Sequence, residues 1–196
     1  MSVFERLMMG ALVVASLTAP GWARADAGTG ETHPVLDFGL TRGGDKLLDA
    51  HFFVGGRESI HAGDAFYGDF GMIHDLQDSD WSVKLTGGYA FASIGSFWSS
   101  RTFKRFPVEA LMIYNTGRQH IGFGATYHFN PQLDMNGHGD DVRYHGAPGV
   151  ILQYQYWMFG ARYTYVRYKP RNLPGYPTLD GSSLGLFVSI EFGKDD

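Results

Sequence analysis

Apolar and polar residues alternate along most of this chain. From Trp81 to Phe91, the apolar residues Trp81, Val83, Leu85, Tyr89 and Phe91 are interleaved with Ser82, Lys84, Thr86, Gly88 and Ala90. A period of two is the signature of a β-strand, whose successive side chains point to opposite faces. The same pattern runs through Ile121–Phe129 against His120, Gly122, Gly124, Thr126 and His128, and through Val150–Tyr156 against Gln153 and Gln155. It recurs at Leu184, Leu186, Val188, Ile190 and Phe192 against Gly185, Ser189 and Glu191. Further strands are predicted at Phe66–Leu76, with Asp69 opposite Phe70, at Phe106–Asn115, with Glu109 opposite Val108, and at Ala161–Tyr165, with Arg162 between. These runs are long for soluble strands, which average about 5 or 6 residues, and fit a tilted strand that crosses a bilayer.

The connections fall into two lengths. Gln77–Asp80, Thr116–Gln119 and Trp157–Gly160 are short, whereas Ala92–Thr102, Asn130–His145 and Lys169–Gly181 are long and rich in turn-forming residues. Short turns at one end and long loops at the other describe an up-and-down barrel. Counting back from a strand that ends at Phe192, seven strands reach Phe66, so one more is needed within Val35–Phe53, where Leu36, Phe38 and Leu40 alternate with Asp37 and Gly39. Single-chain bacterial barrels have even strand numbers. The pair Gly43-Gly44 therefore reads as a bulge or kink in one long first strand, not as a hairpin turn. The expected fold is all-β, an antiparallel up-and-down barrel of eight strands spanning residues 26–196.

Which face looks outward decides the environment. A soluble barrel would bury the apolar face and solvate a polar face rich in Lys and Glu, but here the polar face is mostly Gly, Ser, Thr and Gln with a few charges. Charged residues make up 18% of the chain and aromatics 15%, against roughly 25% charged in ordinary soluble domains. A closed barrel pairs its backbone groups internally and so can sit in lipid. The expectation is a transmembrane barrel with its apolar face outward. A mean hydropathy of -0.17 fits this, because alternation averages out.

The N-terminus reads as an export signal. Arg6 precedes the apolar run Leu7–Leu17, and Ala23-Arg24-Ala25 is a small-x-small cleavage pattern, so residues 1–25 are expected to be a cleaved secretory signal peptide. With no cysteine, neither disulfides nor a lipid-modified Cys is possible. A net charge of -4 and the lack of a basic run disfavour nucleic acid as a partner. No cofactor is implied.

Several segments carry a resemblance. Ala62–Tyr67, Trp81-Ser82-Val83 leading to Gly87-Gly88-Tyr89, Arg105–Glu109, Gly122-Phe123-Gly124 and the closing Gly185–Phe192 resemble small outer-membrane β-barrel proteins of Gram-negative bacteria. The resemblance implies residence in the cell outer membrane after export through the inner membrane. It also implies outer-membrane lipids, including lipopolysaccharide, as surroundings, and the barrel-assembly machinery as a partner during biogenesis. The terminal run is similar to the assembly signal of such barrels, with Val188, Ile190 and Phe192 on one face, although four residues follow Phe192 here.

With the apolar face in lipid, the interior would hold Asp37, Asp69, Lys84, Arg105, Glu109, Arg162 and Glu191 as a nearly balanced charge network. Eight strands enclose space only for side chains, so this network would plug the lumen. Trp81, Tyr89, Tyr114, Tyr154, Tyr156, Tyr163, Tyr165 and Phe192, together with Trp98 and Trp157, are expected to form interfacial girdles. His128 is the candidate catalytic residue for an alternative role as a lipid A-modifying enzyme of deacylase or acyltransferase type. A serine from Ser99, Ser100, Ser182 or Ser183 would have to partner it, and the deacylase His-x-Ser-Asn pattern is replaced by His128-Phe129-Asn130. A narrow conduit for small hydrophobic solutes is a further alternative. The loop Asn136–Asp141 with His145 has metal-ligand residue types but matches no defined calcium or zinc spacing, so no metal is expected. The principal reading is a structural or surface-interaction barrel.

Overall fold

The computed structural model describes residues 30–52, 56–94, 101–135, 141–172, 175 and 177–193. The predicted signal peptide, residues 1–25, lies outside them. Twelve strands follow in order: β1 (Thr32–Arg42), β2 (Lys46–Phe52), β3 (Gly56–His61), β4 (Ala65–Asp75), β5 (Trp81–Ile94), β6 (Arg101–Thr116), β7 (Gln119–Asp134), β8 (Val142–Arg143), β9 (Ala147–Tyr156), β10 (Phe159–Tyr168), β11 (Leu179–Asp180) and β12 (Ser183–Glu191).

Eight of these close on themselves. Antiparallel pairing runs from β1 through β4, β5, β6, β7, β9, β10 and β12 and back to β1. The expected eight-stranded up-and-down barrel is the observed one. Closure leaves the wall without an open edge. At the turn end, Gly117 takes φ 59° and Trp157 φ 56°, each in a two-residue link between neighbouring strands.

The Gly43-Gly44 reading is corrected. β1 ends at Arg42, and β2 pairs with β3 as a separate two-stranded hairpin outside the barrel wall. Both glycines adopt positive φ (145° and 79°), which turns the chain away from the barrel where a bulge would have let it run on. A Cβ at either position would strike the backbone of Ser182 or Asp180. The turn is tied down by Asp45 N donating to Asp180 O (2.7 Å), Gly63 N to Gly43 O (2.9 Å) and Gly43 N to the Asp64 carboxylate (3.0 Å). The barrel count stays even because the hairpin adds two strands that pair only with each other.

The long loops are also shorter than predicted. β5, β6 and β7 extend past the barrel, with Ser93 opposite Thr102 and Phe103 opposite Leu133. Asn130 adopts φ 45° ahead of Pro131, yet β7 continues to Asp134. These extensions turn Ala92, Phe103 and Leu133 inward, where they join Ile60, Ala62, Tyr144, Ala147, Val166 and Tyr168 in an apolar cluster that caps the loop end of the lumen.

Candidate functional site

The middle of the barrel holds a cluster of buried charges. Asp37 on β1, Asp69 on β4, Lys84 on β5, Glu109 on β6 and Arg162 on β10 all occupy inward positions and are almost fully buried. The Lys84 ammonium donates to Asp37 Oδ2 at 2.6 Å and lies 3.5 Å from the Ser189 hydroxyl. The Arg162 guanidinium lies 3.0 Å from Glu109 Oε2, and 3.6 Å from both Asp69 Oδ2 and Asp37 Oδ2. Nη1 faces Glu109 and Asp69, while Nη2, on the Asp37 side, donates to Gln153 Oε1 at 3.1 Å. One planar fork thus serves three carboxylates, a geometry that a lysine cannot reproduce. Among the described residues, neither Asp69 oxygen accepts a hydrogen bond, so its ion pair with Arg162 is its main electrostatic support.

Two glycines make room for this arrangement. Gly39 on β1 stands between Tyr67 on β4 and Phe187 on β12, and Gly160 on β10 is also opposite Phe187. A Cβ on Gly39 would collide with the Tyr67 ring, and one on Gly160 with the Phe187 ring. The two rings pack against the glycines and flank Arg162, whose Cζ is 5.1 Å from the Tyr67 centroid and 5.3 Å from that of Phe187. Sequence reasoning missed both aromatics as part of the cluster. Strand parity places them inward, and the cross-strand glycines are the signal that would have found them.

Gly39→Ala is expected to destabilise the barrel by about 1–3 kcal/mol, because the new methyl must displace a packed ring. Gly87→Ala is the control, since its Cβ would have only ordinary contact with Val108 at 3.8 Å. Urea unfolding of both variants from lipid vesicles measures the difference. Equal midpoints would show that the ring packing contributes nothing.

Arg105 and His128 sit above the cluster, between it and the cap. Arg105 donates to the carbonyls of Ala62 (3.4 Å) and Asp64 (3.2 Å) and stacks on Phe103. It thereby ties the segment after the β2–β3 hairpin to the wall. His128 Nδ1 lies 2.6 Å from the Tyr168 hydroxyl. Ser183 lines the same cavity as His128, Arg105, Asp69 and Glu109, but no hydrogen bond joins it to His128; Ser182 is engaged with Asp180. Ser99 and Ser100 lie outside the described residues. That cavity measures about 30 Å³, room for one or two waters.

Glu191 keeps the inward parity but stands half-exposed at the turn end, apart from the Arg162 cluster. At the same end of the barrel, Ser82 donates to Asp75, Asn115 Nδ2 donates to Ser82 Oγ at 2.6 Å, and His120 Nδ1 donates to Asn115 Oδ1 at 2.8 Å. Below the charges, Val35, Ile73, Leu111, Ile113 and Ile151 form an apolar layer inside the barrel.

The outer face is apolar at every strand. Trp81, Tyr114, Tyr154, Tyr156 and Phe192 ring the turn end, with the Trp81 and Tyr114 rings 5.2 Å apart. Tyr89 and Tyr165 face outward nearer the loops, whereas Tyr163 faces outward in register with Leu152, near the middle of the wall. Trp157 is exposed at its turn, whereas Trp98 and residues 136–140 of the candidate metal loop lie outside the described residues. Among the described residues, no group of three or more His, Asp or Glu side chains is arranged to hold a metal ion.

No family model matches the chain, and no curated protein does. Solved structures do. Ail, the attachment invasion locus protein of Yersinia pestis, solved in complex with the heparin analogue sucrose octasulfate, is 12% identical with a TM-score of 0.42, covering 83% of this chain and 99% of its own. The N-terminal β-barrel domain of Pseudomonas aeruginosa OprF is 13% identical over 82% of this chain and 99% of that one, with a TM-score of 0.39. Neisserial surface protein A is 12% identical over 80% of this chain and 96% of that one, with a TM-score of 0.41.

Proposed function

We propose that this chain is an integral outer-membrane barrel with a structural or surface-interaction role, its lumen closed by side chains and its loop end presented outside the cell. The observation that carries this reading is the inverted distribution of polarity. Phe66, Leu184 and Leu186 are each more than 60% exposed on the outer wall, while Asp37, Lys84 and Arg162 inside are at most 2% exposed. In water this arrangement would expose a continuous apolar belt far larger than monomeric soluble proteins carry. In a bilayer the belt meets acyl chains, the two aromatic levels meet the headgroups, and the closed wall satisfies the backbone.

Membrane fractionation of cells producing the full chain, followed by gels run with and without boiling, tests the reading. The protein is expected in the outer-membrane fraction, with faster migration before boiling and a mature N-terminus at Asp26. Recovery in the soluble periplasm would overturn it.

The closed lumen has its own measurement. The charge cluster lies across the middle of the barrel, and the apolar cap lies above it. Purified protein in planar bilayers is therefore expected to carry no steady ion current, and a stable single-channel conductance would refute the plug.

A further inference from the structure

Exposed cations gather on one side of the loop end. Residues 141–145 and 168–172 lie side by side, joined by the Tyr144–Pro170 bridge and by His145 N donating to Lys169 O (2.9 Å) and Arg171 N to Arg143 O (2.7 Å). Tyr144, Tyr168 and Pro170 turn inward and are buried, so Arg143, Arg167, Lys169 and Arg171 turn outward and are exposed. Backbone pairing fixes the two segments, so the four cations are presented on an ordered rim, which lowers the entropic cost of binding.

We propose that this rim binds the phosphates of a phosphorylated lipid headgroup in the outer leaflet; the inference rests on the membrane reading above. Continuity with the apolar wall favours a lipid. Outward positions along β10 read Phe159, Ala161, Tyr163 and Tyr165, and the next is Arg167. One outward step is about 7 Å along a strand, so the cations begin where acyl chains give way to headgroups. Arg and Lys at that level match phosphate in charge and geometry.

The neighbouring acids are already engaged. Asp180 lies opposite Arg167 and attracts it electrostatically, while its carboxylate also accepts from the Ser182 hydroxyl and backbone N–H and makes no ion-pair contact with Arg167. Asp141 Oδ1 accepts from Met135 N. Among the described residues, none of the four cations has a carboxylate within ion-pair distance. Lys104 stands on the same rim, in register with Arg143 through Gln132, but differs from the four cations in being neutralised by Asp134 at 2.6 Å. The turn end is acidic, with Glu31, Asp75, Asp78, Asp80 and Glu191.

The test uses the full mature chain extracted from membranes into detergent, with native mass spectrometry counting bound lipid. The probes are bisphosphorylated lipid A and the same lipid without its phosphates. The wild type is expected to retain the phosphorylated form and to shed the other. The triple variant R167Q/K169Q/R171Q should bind the phosphorylated form roughly a hundredfold more weakly, at roughly fivefold per cation. R171Q alone should show about the fivefold loss, and K104Q should match the wild type. The single variant keeps the test decisive if the triple variant fails to fold.

Equal retention of both lipids by the wild type, or no loss in R171Q, overturns the proposal while leaving the barrel intact. Full displacement of lipid by millimolar inorganic phosphate would mean a free-anion site and overturns it too, as would tighter binding of a sulfated polysaccharide. A protein that is not heat-modifiable on a gel would instead sink the membrane reading beneath it.

Discussion

Arg162→Ala is expected to lower the stability of the folded barrel by about 3–5 kcal/mol, the usual cost of removing one partner from a buried ion pair. The variant would leave Glu109, Asp69 and Asp37 facing one another around a void, with Lys84 as their nearest remaining cation. Asp69 suffers most, because no hydrogen bond from the described residues reaches either of its oxygens. The loss is read as a lower urea midpoint for unfolding from vesicles, or as a lower temperature at which the fast-migrating gel band disappears. Arg162→Lys should recover only part of it, since one ammonium cannot reach Glu109, Asp69 and Gln153 together. Combining Arg162→Met with Glu109→Gln and Asp69→Asn removes charges of both signs and should regain most of the stability. If Arg162→Ala melts like the wild type, the cluster is not what holds the lumen together.

The barrel was legible in the sequence because its determinant is a local one. A period of two needs only neighbours to be read, and closure into a barrel gives every wall strand one inner and one outer face. Parity therefore identified the inward position of Glu109 and of Arg162, 53 residues apart. It did not reveal that they meet, because that depends on the stagger of strands not adjacent in the wall. Tyr67 and Phe187 were overlooked for a different reason. In a chain whose outer wall is aromatic, further aromatics read as wall despite their inward parity, and their partners Gly39 and Gly160 on neighbouring strands are what mark them as packed against the cluster. The β2–β3 hairpin escaped because a Gly-Gly pair is equally consistent with a bulge and a strand exit. What decided it was Ser182 and Asp180, far along the chain, which crowd the glycines. The basic rim was invisible for the same kind of reason, since Arg143 and Arg171 become neighbours only through pairing between two loops.

Leu152→Arg is the substitution that separates a lipid-facing wall from a solvated one. Leu152 faces outward near the middle of β9, 57% exposed, with Phe123 and Tyr163 beside it in register. In a bilayer an arginine there sits near the hydrocarbon midplane, and the expected cost is about 2–4 kcal/mol. In water the same change is a surface substitution, expected to stay within about 0.5 kcal/mol. Tyr156→Arg, four residues along the same face at the turn end, should cost only about 0–1 kcal/mol in a membrane, because its guanidinium reaches the headgroups. The dependence on depth is what discriminates, since a general intolerance of arginine would penalise both sites alike. Unfolding from vesicles should therefore show a large loss for Leu152→Arg and a small one for Tyr156→Arg. Equal small losses would mean that water reaches the middle of β9, and the apolar belt would then require a protein partner in place of lipid.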